Sequence, residues 1–157
     1  MSASRALKDE EIRIEPFKLE DLDAIMEIED CSFTAPWSRK SYEGLWSDES
    51  IDFWVAWQGE GLVGYYLVQT AKYEQELHTF AVKPEFRGRG IGRMMMDHML
   101  EKARGRGVEF IYLQVRPSNK EAKELYKSLG FVGIGMRRHY YHDNSENALV
   151  MGLRLKK

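Results

Sequence analysis

A single cysteine, Cys31, stands among 157 residues, and that scarcity removes two classes at once. One thiol cannot close an internal disulfide, and no cysteine-rich zinc site can be assembled. A disulfide-free chain suits a reducing cytosol, so a cytoplasmic location is expected. Proline is scarce too, with four residues, and no Pro/Gly/Ser-rich linker, repeat or low-complexity tract divides the chain. Long apolar runs are missing. The first fifteen residues mix Arg5, Lys8, Asp9, Glu10 and Glu11, which excludes a secretory signal or membrane span there. Charge of one sign is not in excess: 23 Lys and Arg face 25 Asp and Glu, for a net −2. That leaves no global basic field, so stable nucleic-acid binding is not expected.

What remains is an ordinary soluble balance, 43% hydrophobic and 31% charged, in a length that suits one core. The expected organisation is a loose segment over residues 1–11 and one domain over 12–157. Residues 12–14 alternate like a short strand. Residues 19–32 place Leu22, Ile25, Met26 and Ile28 at helical spacing, with Glu20 or Asp21 in position to cap the first turn. Pro36 breaks that pattern, and Ser38 is an N-cap for a second helix through residue 46. Runs 52–58 and 62–70, joined by Gly59-Glu60-Gly61, predict an antiparallel hairpin. Residues 76–82 form a third strand. A helix is expected from about 92 to 104, its packed face carrying the Met94-Met95-Met96 run with Met99 and Leu100. A strand over 110–115, a helix over 119–129 closed by Gly130, and strands from Phe131 onward and over 149–155 complete a mixed α/β order.

Between the third strand and its helix lies Arg87-Gly88-Arg89-Gly90-Ile91-Gly92. Glycines let the backbone approach a ligand, and the free amides of a helix N-terminus favour phosphate. A Walker loop is absent. The dinucleotide fingerprint also fails on spacing, because Arg93 or Met95 stands where its third glycine belongs. Taken alone, the glycines could also simply form a tight turn. The segment, preceded by Ala81-Val82 and Pro84, resembles the Arg/Gln-x-x-Gly-x-Gly/Ala signature of the GNAT superfamily of N-acetyltransferases. Asn119, Ala122, Leu125-Tyr126 and Gly130-Phe131 are similar to a second segment of that superfamily. The resemblance implies the GNAT fold: a mixed, mostly antiparallel twisted sheet of six to seven strands, flanked by about four helices, with acetyl-CoA between two splayed central strands. It implies coenzyme contacts from Phe80, Ala81, Val82, Arg87, Gly88, Arg89, Gly90, Ile91, Gly92, Arg93, Asn119 and Tyr126. Asn119 can equally serve as a plain helix cap.

More specifically, residues 33–38, the run Leu113-Gln114-Val115-Arg116 with Ser118-Asn119, and Arg137-Arg138-His139-Tyr140-Tyr141 resemble the RimI-like ribosomal-protein-alanine N-acetyltransferases. In such enzymes an amine attacks the thioester directly, so a base and an acid are required. The resemblance makes Tyr126 the acid, a phenol with an ordinary pKa of about 10. Relatives read Leu-Glu-Val-Arg, with glutamate as the proposed base, whereas this chain carries Gln114. A neutral amide can position an amine or water but cannot take its proton. Glu76 resembles in its placement the strand glutamate that acts as base in histone-acetylating relatives, which makes it the provisional base, with His78 a second candidate. Strict alternation would put Glu76, His78 and Phe80 on one face, and a bulge would change that parity.

The same resemblance places Trp37, Tyr140 and Tyr141 in the expected acceptor groove; Trp37 is also readable as core packing, and one tyrosine of the pair as ordinary strand burial. His139 and His142 lack companion ligands, so no metal is expected. The acceptor is expected to be a protein N-terminal amine, with the chain a monomer or weak dimer. Small-molecule amine or lysine acetylation remains open, as does a non-catalytic acyl-CoA sensor that lost its base at Gln114.

Overall fold

The computed structural model describes residues 11–32, 37–45, 47–138, 140 and 146–155. Strand β1 (Ile12–Pro16) is followed by a 3-10 turn (Leu19–Asp21), in which Asp21 accepts the Lys18 amide at 2.9 Å, and then by α1 (Leu22–Ser32). Helix α2 (Arg39–Leu45) opens on Ser38, whose hydroxyl accepts the Ser41 amide at 3.1 Å. The hairpin β2 (Ile51–Gln58) and β3 (Gly61–Ala71) leads to β4 (Glu74–Val82), a second 3-10 turn (Pro84–Phe86) and α3 (Ile91–Gly105). β5 (Phe110–Val115), α4 (Lys120–Ser128), β6 (Val132–Arg137) and β7 (Ala148–Arg154) complete the order.

The seven strands of the described residues join one sheet in the order β1-β2-β3-β4-β5-β7-β6. Among the described residues only the β4–β5 pair is parallel. Its crossover contains α3, as a parallel connection requires.

The sheet separates two apolar layers. On one face α1 and α2 bury Leu22, Ile25, Ile28 and Tyr42 against Phe53, Val55, Tyr65 and Leu67. On the other, α3 and α4 pack Ile91, Met95, Met99 and Tyr126 against Val63, Tyr66, Leu77 and Leu113. Within the methionine run Met95 and Met96 are fully buried, but Met94 is 43% exposed. The expectation of one packed methionine face is corrected there: three consecutive helical residues sweep about 200° of the helix surface, so one must turn outward. Gly64 lets α3 approach the sheet, because a Cβ there would meet the Met95 sulfur at 2.8 Å and the Ala81 carbonyl at 2.9 Å.

His98 of α3 shares a 2.8 Å hydrogen bond with the Tyr66 hydroxyl and lies edge-on to Trp54. Burial, then the neighbouring Lys102 charge, lowers its pKa below the ordinary histidine value. The folded state thus resists protonation that the unfolded chain accepts. This contribution to stability is complete above about pH 6.5 and is lost as pH falls through the folded pKa. The melting temperature of His98→Gln is expected to fall less than that of the parent between about pH 8 and about pH 5. Parallel curves in a thermal scan would show that His98 does not contribute.

Candidate active site

The site begins where two strands part. Glu74–Leu77 of β4 pair with Phe110–Leu113 of β5. Beyond that, Thr79–Val82 pair with β3, and Gln114 and Val115 pair with β7. The facing backbone edges of β4 and β5 are left open to an extended ligand.

A bulge marks the parting. Leu67 pairs with Thr79 and Val68 with Leu77, so His78 is the extra residue. It corrects the expected parity. Glu76 and His78 share the face of α1 and α2, as the 3.9 Å separation of His78 Nε2 from Glu76 Oε1 shows. Phe80 has moved to the opposite layer, edge-on to Tyr126 at 6.5 Å. The inserted residue shifts the register by one, which reverses every later side chain. Ala81 consequently points into the α1–α2 layer and Val82 into the other.

At the open end of the gap stands the glycine loop. Gly88 and Gly90 are left-handed, with φ of 78° and 82°, a conformation that favours glycine. Gly90 is the N-cap of α3, and the first helical bond runs from the Met94 amide to the Gly90 carbonyl at 3.0 Å. The amides of Ile91, Gly92 and Arg93 precede that bond and form the positive end of the helix. The arginine side chains have protein partners. Arg87 donates to the Val82 carbonyl at 3.1 Å, Arg89 lies over the Phe86 ring at 4.9 Å, and Arg93 donates to Ser128 at 3.3 Å. The loop therefore offers mainly backbone donors, which suit a pyrophosphate.

Across the gap, Asn119 caps α4, accepting the Ala122 amide at 3.1 Å through Oδ1; its side-chain NH2 is the donor it can turn to a ligand. Tyr126 is buried in α4 between Phe80 and Phe131. An open strand edge, a helix N-terminus and a phenol beside the gap fit the amide-bearing arm, the phosphates and the thioester end of acetyl-CoA respectively.

On the α1–α2 face, Glu76 sits on the last rungs of the parallel ladder, paired with Tyr112. Its carboxylate accepts the Tyr112 hydroxyl at 3.3 Å and Gln114 Nε2 at 3.2 Å. Burial, then the Glu76 charge, raises the Tyr112 pKa, so the phenol stays protonated and donates. Gln114 thus orients the carboxylate that it does not itself possess. His78 Nε2 lies 2.9 Å from Gln69 Oε1 and is accordingly the protonated nitrogen that donates. Trp37 packs on Tyr42 at 5.1 Å and reaches His78 at 6.3 Å. Tyr140 is exposed beneath the Arg137 guanidinium, 4.6 Å away. Tyr141, His139 and His142 lie outside the described residues, as do residues 33–36.

Three groups escaped the sequence reading. Tyr112 was detectable, because it lies two positions before Gln114 on one strand and must share its face. Glu146 binds the β5–α4 turn, accepting the Ser118 amide at 3.0 Å and pairing with Arg116 at 3.3 Å. Glu29, buried in α1, accepts the Trp37 amide at 2.7 Å. No local pattern announces either contact.

Comparison with known proteins agrees with this geometry. The profile of the acetyltransferase (GNAT) family matches residues 22–131, and the chain belongs to that family. It is an acetyl-CoA-dependent N-acetyltransferase. Among its relatives is a putative [ribosomal protein bS18]-alanine N-acetyltransferase of Bacillus subtilis, 35% identical over 85% of this chain and 89% of that one. The N-alpha-acetyltransferase RimI of Mycobacterium tuberculosis is 38% identical over 74% of each chain. The crystal structure of the ribosomal-protein-S18-alanine N-acetyltransferase from Escherichia coli superposes with a TM-score of 0.87 at 31% identity, covering 94% of this chain and 96% of that one. Among the described residues, no helix is long and apolar enough to cross a membrane.

Proposed function

We propose that this protein acetylates the N-terminal α-amine of a protein, a ribosomal protein being the acceptor class, as a single catalytic domain from Ile12 acting in the cytoplasm. The observation that carries the reading is the Glu76 carboxylate, held by Tyr112 and Gln114 where β4 and β5 separate. Similarity to ribosomal-protein-alanine N-acetyltransferases over most of the chain supports the acceptor.

Glu76 takes the proton that the attacking amine loses, and Tyr126 returns one to the departing thiolate. The C–N bond forms as the C–S bond breaks, leaving an acetamide and a thiol with no covalent enzyme intermediate. The amides of Ile91, Gly92 and Arg93 hold the pyrophosphate, with Gly88, Arg89 and Gly90 shaping their approach. The edges of Phe80, Ala81 and Val82 and the Asn119 side chain line the arm. Trp37 and Tyr140 wall the acceptor. The chemistry favours an α-amine over lysine, whose pKa is about 2.5 units higher and whose ammonium is correspondingly harder for a carboxylate to deprotonate.

The test is thiol release from acetyl-CoA with short peptides bearing free N-terminal Ala, Ser, Met or Gly, beside N-blocked lysine peptides and polyamines. Turnover is expected with the free N-termini. Faster turnover of lysine or polyamines would reassign the acceptor, and tight coenzyme binding without turnover would make the protein an acyl-CoA sensor.

A further inference from the structure

Glu29 is a buried charge that acetyl transfer does not use. It lies in the last turns of α1, 1% exposed, and three donors converge on its carboxylate. The Trp37 backbone amide reaches Oε2 at 2.7 Å, and the Tyr42 and Tyr65 hydroxyls reach Oε1 at 2.6 and 2.5 Å. Burial above all, then nearby charge, raises both phenol pKa values far above the ordinary value, so both hydroxyls remain donors.

A buried carboxylate is costly unless its lone pairs are filled. A core that needed only packing would hold an apolar side chain here at no loss. An apolar residue here would leave all three donors unpaired; phenylalanines would remove the two hydroxyls, but the Trp37 amide is backbone and would still need an acceptor. That amide belongs to the residue whose ring packs on Tyr42 and stands 6.3 Å from His78. Through His78 the line continues to Glu76, 3.9 Å further on.

We propose that Glu29 is a positioning residue for the acceptor: it anchors the Trp37 backbone to the α1 end and to Tyr65 of β3, and so sets the indole wall against which the incoming amine terminus is held. This rests on the reading of Trp37 as part of the acceptor groove. Glu29 touches neither reactant and acts only through Trp37.

Removing Glu29 alone would strand three buried donors, so the informative variant replaces the cluster by shape. Glu29→Met with Tyr42→Phe and Tyr65→Phe removes both hydroxyls along with their acceptor, and matched apolar replacement of this kind can be nearly neutral for stability. The Trp37 amide then lacks its partner, and the Thr79 side chain loses its hydrogen bond to the Tyr42 hydroxyl. The KM for an N-terminal peptide is expected to rise about tenfold, the usual worth of a charge-assisted backbone contact. The KM for acetyl-CoA should stay at its wild-type value. Glu29→Gln, which can present Oε1 to the Trp37 amide and NH2 to the phenol oxygens, should restore most of the peptide KM. Adding Trp37→Ala to the triple variant should cost less than Trp37→Ala does in the parent, because the two changes act on one wall.

An unchanged peptide KM in a folded triple variant overturns the proposal, as does a matched rise in both KM values. If Trp37→Ala in the parent leaves the peptide KM untouched, the groove reading itself fails and the role of Glu29 with it. If Trp37→Ala raises that KM while the triple variant does not, the groove stands and only Glu29 is withdrawn.

Discussion

Glu76→Gln is expected to lower kcat for acetyl transfer by about 10²- to 10⁴-fold, the usual contribution of a positioned base, with the KM for acetyl-CoA nearly unchanged. The substitution keeps the shape of the side chain. Its Oε1 can still accept the Tyr112 hydroxyl, and Gln114 can rotate its amide to face the new NH2, so both contacts on Glu76 have replacements. What disappears is the lone pair able to take a proton.

The neighbouring Gln114 permits a stricter test. Its amide nitrogen lies 3.2 Å from the Glu76 carboxylate, so exchanging the two residues moves the base across the ladder by one side chain. The double variant Glu76→Gln/Gln114→Glu should recover activity above the single variant, because a carboxylate again stands between Tyr112 and the gap. Full turnover in Glu76→Gln would remove Glu76 as the base and make His78 the next target. A folded, inactive double variant would mean that catalysis needs the carboxylate on β4 itself.

Gly92→Asp should separate stability from binding. Gly92 is the second residue of α3 after its Gly90 cap. A Cβ there would make ordinary contacts with Leu125 at 3.6 Å and Phe80 at 3.8 Å. The backbone can thus accept a side chain, and an aspartate in the first helical turn stabilises the helix by about 0.3–1 kcal/mol through its dipole. The melting temperature should hold or rise. The same charge would stand beside the amides proposed for the pyrophosphate, where two like charges about 4 Å apart repel by roughly 4 kcal/mol at an effective dielectric of 20. Acetyl-CoA affinity by calorimetry should fall by about a hundredfold or more. Gly92→Asn, equal in size and uncharged, should lose far less. Equal losses for the two would assign the effect to bulk, and unchanged affinity for Gly92→Asp would place the phosphates elsewhere.

Much of this architecture is written locally. Ser38 and Asn119 announce their helices because a short polar side chain can take an orphan amide, and both do so. Gly59-Glu60-Gly61 marks the β2–β3 hairpin. The spacing of Gly88, Gly90 and Gly92 foretells the loop because left-handed backbone and close approach need residues without a Cβ. The resemblance to acetyltransferases rested on these local segments, and the family followed from them.

The bulge at His78 could not be read that way. Whether β4 carries an extra residue depends on its pairing with β3, and pairing is a property of two strands together, not of either strand's own sequence. The bulge alone decides that Phe80 leaves the Glu76 face for Tyr126. The junction of Gln114 with Glu76 is likewise tertiary, since 38 residues separate them and only the parallel ladder brings them to 3.2 Å.

Glu29 shows the same division most plainly. In sequence it is one acidic residue on an amphipathic helix, where an exposed position is the usual outcome. Burial was decided by Tyr42, Tyr65 and the Trp37 amide arriving from three other places in the chain. By itself the sequence determined helix starts, turns, the glycine loop and the family, since each follows from backbone chemistry within a few residues. That the Glu76 carboxylate stands where β4 and β5 separate, and that the Glu29 carboxylate is buried against the Trp37 amide, was decided only by the tertiary structure. Burial and proximity between distant residues are set by packing, and no single segment encodes them.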